Sequence, residues 1–184
     1  MTTQLIAIGA SAGGVQALNE LFSLLPSKFT IPIVVVIHRS AIEFDYLVAQ
    51  LQKSAGLQVQ EAMDKLPILS NTITIAPAGY HLLVDSRHYA LSTEDAIEYA
   101  RPSIDVLMES AANSYAENVL GALLTGGGRD GVQGLASIKA KGGKVVVQRP
   151  DTAKDPTLPQ AAIDSGVATQ TYSIRELATL LKQL

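Results

Sequence analysis

Three observations predict a three-layer α/β/α protein whose sheet is doubly wound and mostly parallel, with one small antiparallel hairpin. Apolar runs alternate with helical periodicity along the chain, a glycine-rich turn closes the first run, and most later runs are β-branched and nearly continuous. Alternation of this kind calls for right-handed strand–helix–strand crossovers, which cover both faces of the sheet with helices. Sites in such sheets form just beyond the carboxyl ends of the strands.

The first run, Leu5-Ile6-Ala7-Ile8, reads as a buried strand that stops at Gly9. Val15, Leu18, Leu21, Phe22 and Leu25 then recur at spacings of three and four, as on one face of a helix. Between them lie only small residues, with the Ser11 hydroxyl at the crest of the turn. Glycines 9, 13 and 14 allow the sharp bend, and Ser11 stands beside unpaired N–H groups of a helix start, where negative charge is stabilised. Gly9-x-Ser11-x-Gly13 matches the nucleophile-elbow pattern.

Residues 31–37 read as a second buried strand ending at His38-Arg39-Ser40, and Phe44, Leu47, Val48 and Leu51 share one helical face. Short strands are expected over 57–62 and 71–76. Residues 80–84 and 88–91 form the hairpin around Asp85-Ser86-Arg87. Ser103 is the expected cap of a helix carrying Ile104, Leu107, Met108 and Ala111. Residues 119–124 are a buried strand running into Thr125-Gly126-Gly127-Gly128-Arg129-Asp130-Gly131. A helix with Val132, Leu135 and Ile138 stops at Gly142-Gly143, and 144–148 is a further strand. A proline-punctuated loop leads to a short helix around 161–163, then an edge strand over 167–169. Ser173 with Glu176 makes a capping box for the last amphipathic helix.

Composition narrows the function. The 184 residues are 47% hydrophobic and 17% charged, which suits one well-packed domain spanning 1–184. A net charge of −3 gives no electrostatic case for nucleic acid. With no cysteine there is no disulfide, thiol nucleophile or thiolate metal site. The histidines at 38, 81 and 88 lack helical metal-ligand spacing, so no metal is expected. Apolar runs fall short of the roughly 20 residues of a membrane span, and a basic leader is missing. A cytoplasmic protein is expected.

Three strand ends carry reactive groups: Ser11, His38 and Asp130. A serine hydroxyl needs a base to take its proton, and the base needs a group to orient it. Taken singly, each residue has a structural reading, as a helix cap, a strand-end histidine and a turn aspartate. Their joint placement favours a hydrolytic triad. The rivals are a non-catalytic protein- or nucleotide-binding module, and a dinucleotide enzyme. In the last, Gly9, Ser11 and Gly14 fill G-x-G-x-x-G with a serine where the backbone must approach a pyrophosphate. The order Ser, His, Asp also differs from that of the α/β-hydrolases.

These residues resemble the catalytic domain of the bacterial chemotaxis protein-glutamate methylesterases, the CheB family. The resemblance is carried by Gly9-Ala10-Ser11-Ala12-Gly13-Gly14, Ile37-His38-Arg39, and Leu124-Thr125-Gly126-Gly127-Gly128-Arg129-Asp130-Gly131. Matches at 75–82, 101–107 and 158–163 follow in family order. It implies hydrolysis of γ-glutamyl methyl esters on methyl-accepting chemoreceptors, with glutamine deamidation as a second activity and no cofactor. It implies Ser11 as nucleophile, His38 as general base and Asp130 as the group that orients the imidazole. Backbone N–H groups near Ala12 and in the Gly126, Gly127 and Gly128 loop are candidates for the oxyanion hole. Arg39 and Arg129 flank the site and are expected to meet an acidic helical substrate.

Three departures from the family pattern stand out. Ala12 replaces a threonine after the nucleophile, Gly127 replaces a methionine, and the first strand begins within a few residues of Met1 where the family carries a phosphoryl-receiver domain. The sequence is therefore expected to be a single-domain relative or an excised piece, and activation by phosphorylation is not read from it.

Overall fold

A computed structural model describes residues 2–38, 46–97 and 99–184. Nine strands and six α-helices run in the predicted alternation among the described residues: β1 (Leu5–Ala10), α1 (Gly14–Leu24), β2 (Ile33–Ile37), α2 (Leu47–Ser54), β3 (Gln58–Glu61), β4 (Thr72–Ile75), β5 (His81–Asp85), β6 (His88–Ser92), α3 (Ile104–Tyr115), β7 (Val119–Leu123), α4 (Val132–Ala140), β8 (Lys144–Gln148), α5 (Thr157–Asp164), β9 (Thr171–Tyr172) and α6 (Ile174–Leu181). Phe44, placed in the second helix by periodicity, lies outside the described residues.

Seven strands form one parallel sheet in the order β3-β4-β2-β1-β7-β8-β9. β1 and β2 are buried along their whole length, as their unbroken apolar runs require. Their side chains alternate between two cores. Ile6, Ile8, Ile33 and Val35 face α1, α2 and α6. Leu5, Ala7, Val34 and Val36 face α3, α4 and α5. Burial of one such side chain contributes about 2 kcal/mol, so two filled faces hold β1 and β2 as the rigid centre of the molecule.

The predicted hairpin is a separate two-stranded antiparallel sheet, β5-β6. Its Leu82, Val84 and Tyr89 bury against the α3 side. The edge strand is displaced from the expected one. Residues 167–169 are not extended pairing partners, and β9 at Thr171–Tyr172 meets β8 instead. Val167 and Ala168 are drawn into the α3-side core, which leaves pairing to the polar residues that follow. The capping box at Ser173 and Glu176 forms as expected.

Candidate active site

β1 lies between β2 and β7, and the chain leaves it in opposite directions, so the upper ends of these strands meet where the strand order reverses. The turn from β1 into α1 carries Ser11. Gly13 at its foot has φ +80°, a left-handed conformation that side chains resist. The Ser11 N–H donates to the Thr125 carbonyl at 3.0 Å, and the Ser11 carbonyl accepts from the Gly14 N–H at 2.8 Å. The Thr125 hydroxyl donates to the Ala12 carbonyl at 2.8 Å. Buried Gln148 accepts the Thr125 N–H at 2.9 Å. The serine turn is thereby tied to the loop leaving β7.

Gly126 approaches the serine closely. A Cβ there would lie 2.7 Å from Ser11 Cβ and 3.0 Å from Ser11 N. Gly126→Ala must shift the turn by several tenths of an ångström. Since misplacing a reacting group by about 1 Å costs about 100-fold, a fall of 10- to 100-fold in turnover is expected, roughly in kcat. Steady-state kinetics on a folded variant check this.

His38 is the residue after β2, and its N–H donates to the Ala10 carbonyl at 3.0 Å, beside Ser11. The His38 imidazole and the Asp130 carboxylate lie 2.7 Å apart, Nε2 to Oδ2, with the side chains 21% and 4% exposed. A carboxylate only accepts, so Nε2 carries the hydrogen and Nδ1 is the nitrogen left as a base in neutral imidazole.

Asp130 has further donors. Its Oδ2 also accepts the Ile104 N–H at 2.7 Å. Its Oδ1 accepts the Ser103 hydroxyl at 2.8 Å and the Asp105 N–H at 2.9 Å. The carboxylate thus sits on the first N–H groups of α3, which are unpaired within the helix. Burial alone would raise its pKa. Hydrogen bonds from His38, from the Asp105 and Ile104 N–H groups and from Ser103 outweigh burial, and hold it below the ordinary aspartate value.

Three residues beyond the sequence-based candidates, Ser103, His81 and Asp105, complete this support. The Ser103 N–H donates to His81 Nδ1 at 3.2 Å, and His81 Nε2 donates to the Asp95 carbonyl at 3.0 Å. Asp105 mirrors Asp130: its Oδ1 accepts the Gly131 and Gly134 N–H groups at 2.8 and 2.7 Å, at the start of α4. Burial, the partly opposed effect of the Gly134 hydrogen bond, and the Asp130 charge leave its pKa pushed up to about 6. Ser103 and Asp105 lie in the 101–107 stretch, which reads in sequence as a loop and a helix start. Their side chains nevertheless hold the two loops of the site.

Ser11, Ala12, His38, Leu47, Gln50 and Lys154 are among the residues lining one cavity of about 760 Å³. The Gly126 N–H donates to the Asp155 carbonyl at 3.0 Å, which removes it as an oxyanion donor. Among the described residues, the Ala12, Gly127 and Gly128 N–H groups make no hydrogen bond. Arg129 is exposed and does not line the cavity, and Arg39 lies outside the described residues. Among the described residues, no group of histidines and carboxylates is arranged to hold a metal ion, and no helix is long and apolar enough to cross a membrane.

The fold and this rim define a class: α/β proteins in which a serine turn and an imidazole–carboxylate pair meet at one end of a parallel sheet. The CheB methylesterase family model matches residues 6–181, and the chain belongs to that family. A Leptospira interrogans protein is 37% identical over 185 residues, covering 100% of this chain and 96% of its own length. The protein-glutamate methylesterase/protein-glutamine glutaminase 1 of Carboxydothermus hydrogenoformans is 36% identical over 181 residues, covering 95% of this chain and 53% of its own. The chain thus spans nearly all of the first relative and about half of the second. The crystal structure of the Thermotoga maritima CheB methylesterase catalytic domain superposes with a TM-score of 0.95 at 28% identity, covering 100% of this chain and 99% of that one.

Proposed function

We propose that this chain is a serine hydrolase that removes methyl esters from glutamate side chains of methylated chemoreceptors, and deamidates glutamines there by the same route. The observation that carries this reading is the 2.7 Å bond between His38 and Asp130 at the rim of a cavity that Ser11 also lines. A binding module has no use for a buried carboxylate that fixes the tautomer of a partly exposed imidazole.

In this reading His38 Nδ1 takes the Ser11 proton as Oγ attacks the ester carbonyl. The tetrahedral oxyanion is met by the N–H of Ala12, the residue after the nucleophile, and by N–H groups of the 127–128 loop, each donor contributing about 3 kcal/mol. Asp130 stabilises the imidazolium through Nε2 without itself taking the proton. His38 then returns its proton to the leaving methoxide, and methanol departs. Water, activated by the same nitrogen, cleaves the acyl-enzyme to a free carboxylate and restores Ser11. With a glutamine substrate the leaving group is ammonia.

Methanol release from a methylated receptor cytoplasmic fragment tests the assignment. Wild type is expected to release methanol, and folded Ser11→Ala to fall to background. Equal rates would reduce the serine turn to a structural role.

A further inference from the structure

We propose that Lys154 is the residue that sets substrate preference at this site, reading a carboxylate carried beside the scissile ester. The inference rests on the esterase reading of the same cavity. Lys154 lies in the loop between β8 and α5, and its stem is laid across the serine turn. A Cβ on Gly13 would lie 2.7 Å from Lys154 Cβ, 2.9 Å from Cδ and 3.2 Å from Cγ. Glycine at 13 therefore does more than permit the turn, because it leaves the groove in which the lysine stem rests.

The backbone that carries the lysine is fixed to the catalytic loop. The Asp155 N–H donates to the Thr125 hydroxyl at 2.9 Å, and the Asp155 carbonyl accepts from the Gly126 N–H at 3.0 Å. Thr125 also anchors the Ser11 turn. A substrate positioned for attack by Ser11 is thus positioned relative to Lys154 as well.

Charge supports the choice of ligand. Among the described residues, Lys154 is the one lysine or arginine lining the cavity, and no carboxylate lines it. Apart from Ser11 and His38, the other polar lining residues, Gln16, Asn19, Tyr46 and Gln50, carry no carboxylate or cationic group. Glu20 and Asp151 stand with Lys154 in a neighbouring hollow of about 280 Å³ that contains neither Ser11 nor His38. Neither forms an ion pair with Lys154. A chain of net charge −3 would repel an acidic protein, so the one cation lining this cavity among the described residues selects which acidic segment enters.

The test uses two helical peptides, each with one glutamate γ-methyl ester, flanked by glutamates in one and by glutamines in the other. Binding to the full chain carrying Ser11→Ala is measured by fluorescence anisotropy, and kcat/KM on the Ser11 enzyme by methanol release. The glutamate-flanked peptide is expected to bind about fivefold more tightly, the ratio an exposed ion pair supports, and to lose that advantage in high salt. Lys154→Gln abolishes the preference and Lys154→Glu reverses it, with the change appearing in KM. A preference that survives Lys154→Gln, or no preference at all, overturns the proposal. A kcat loss of equal size on both peptides also overturns it, by placing Lys154 at the reacting atoms. Peptides bound with the expected preference but never hydrolysed would instead refute the esterase reading and leave Lys154 as the reader of charge.

Discussion

Asp130→Asn is expected to lower ester turnover about 10,000-fold and to cost stability as well. The activity loss follows from proton placement. Asp130 accepts four hydrogen bonds, two at each oxygen. An amide has one accepting oxygen and one NH2, so one pair of donors must face another donor. If the NH2 lies at Oδ2, His38 can pair with it only by accepting through Nε2. The imidazole hydrogen then moves to Nδ1, and the nitrogen proposed to take the Ser11 proton is no longer a base. If the NH2 lies at Oδ1, the Ser103 hydroxyl can turn to accept, but the imidazolium loses its compensating charge. In either orientation one buried helix N–H, of Ile104 or Asp105, loses its acceptor, at a cost of about 1–3 kcal/mol. For a chain of this length, that lowers Tm by roughly 2–12 °C. Methanol release and a thermal melt on the same sample separate the two effects. A loss of turnover no greater than tenfold would remove Asp130 from the reaction.

Much of this site was legible in the sequence because its reactive groups sit at ends of continuous buried strands. Ser11, His38 and Asp130 follow β1, β2 and β7, and the run of apolar residues before each is the signal. Alternation of strands and helices was enough to place those ends on one side of the sheet. What the sequence did not disclose is the supporting contacts, which span 25 to 27 positions between Asp130 and residues 103–105. Ser103 shows a cap signature, and it does accept the Val106 N–H at 3.4 Å. Nothing local reveals that the same hydroxyl also donates to the Asp130 carboxylate in the loop after β7. Gln148 and Lys154 were silent for the same reason, because a strand-end glutamine and a loop lysine are ordinary until the partner loop is in place. The edge strand was misplaced for a different reason. Val167 and Ala168 have strand-like apolarity, but core burial claimed them, and a two-residue polar strand carries almost no pattern.

Asp105→Ala is expected to be the most destabilising single change at this rim, and Asp105→Asn a far milder one. Asp105 is buried, and one of its oxygens accepts both the Gly131 and the Gly134 N–H at the start of α4. Alanine leaves both donors without an acceptor, a cost of roughly 2–6 kcal/mol, or a fall in Tm of about 4–24 °C. Asparagine keeps an oxygen at that position. Charge then distinguishes the two carboxylates by pH. The Asp105 pKa is raised from 3.8 to about 6, so the folded state binds its proton more tightly than the unfolded chain. Its contribution to stability is fully present below about pH 4 and is lost as pH rises to about 6. The lowered pKa of Asp130 acts in the opposite sense, adding stability above the ordinary aspartate range that is lost as pH falls through its folded value. Asp105→Asn, neutral at every pH, should therefore gain on wild type in thermal melts between about pH 4 and 6 and keep a constant difference above. A difference that does not change across that interval would mean that Asp105 is ionised throughout, with the two α4 N–H groups outweighing both its burial and the charge of Asp130.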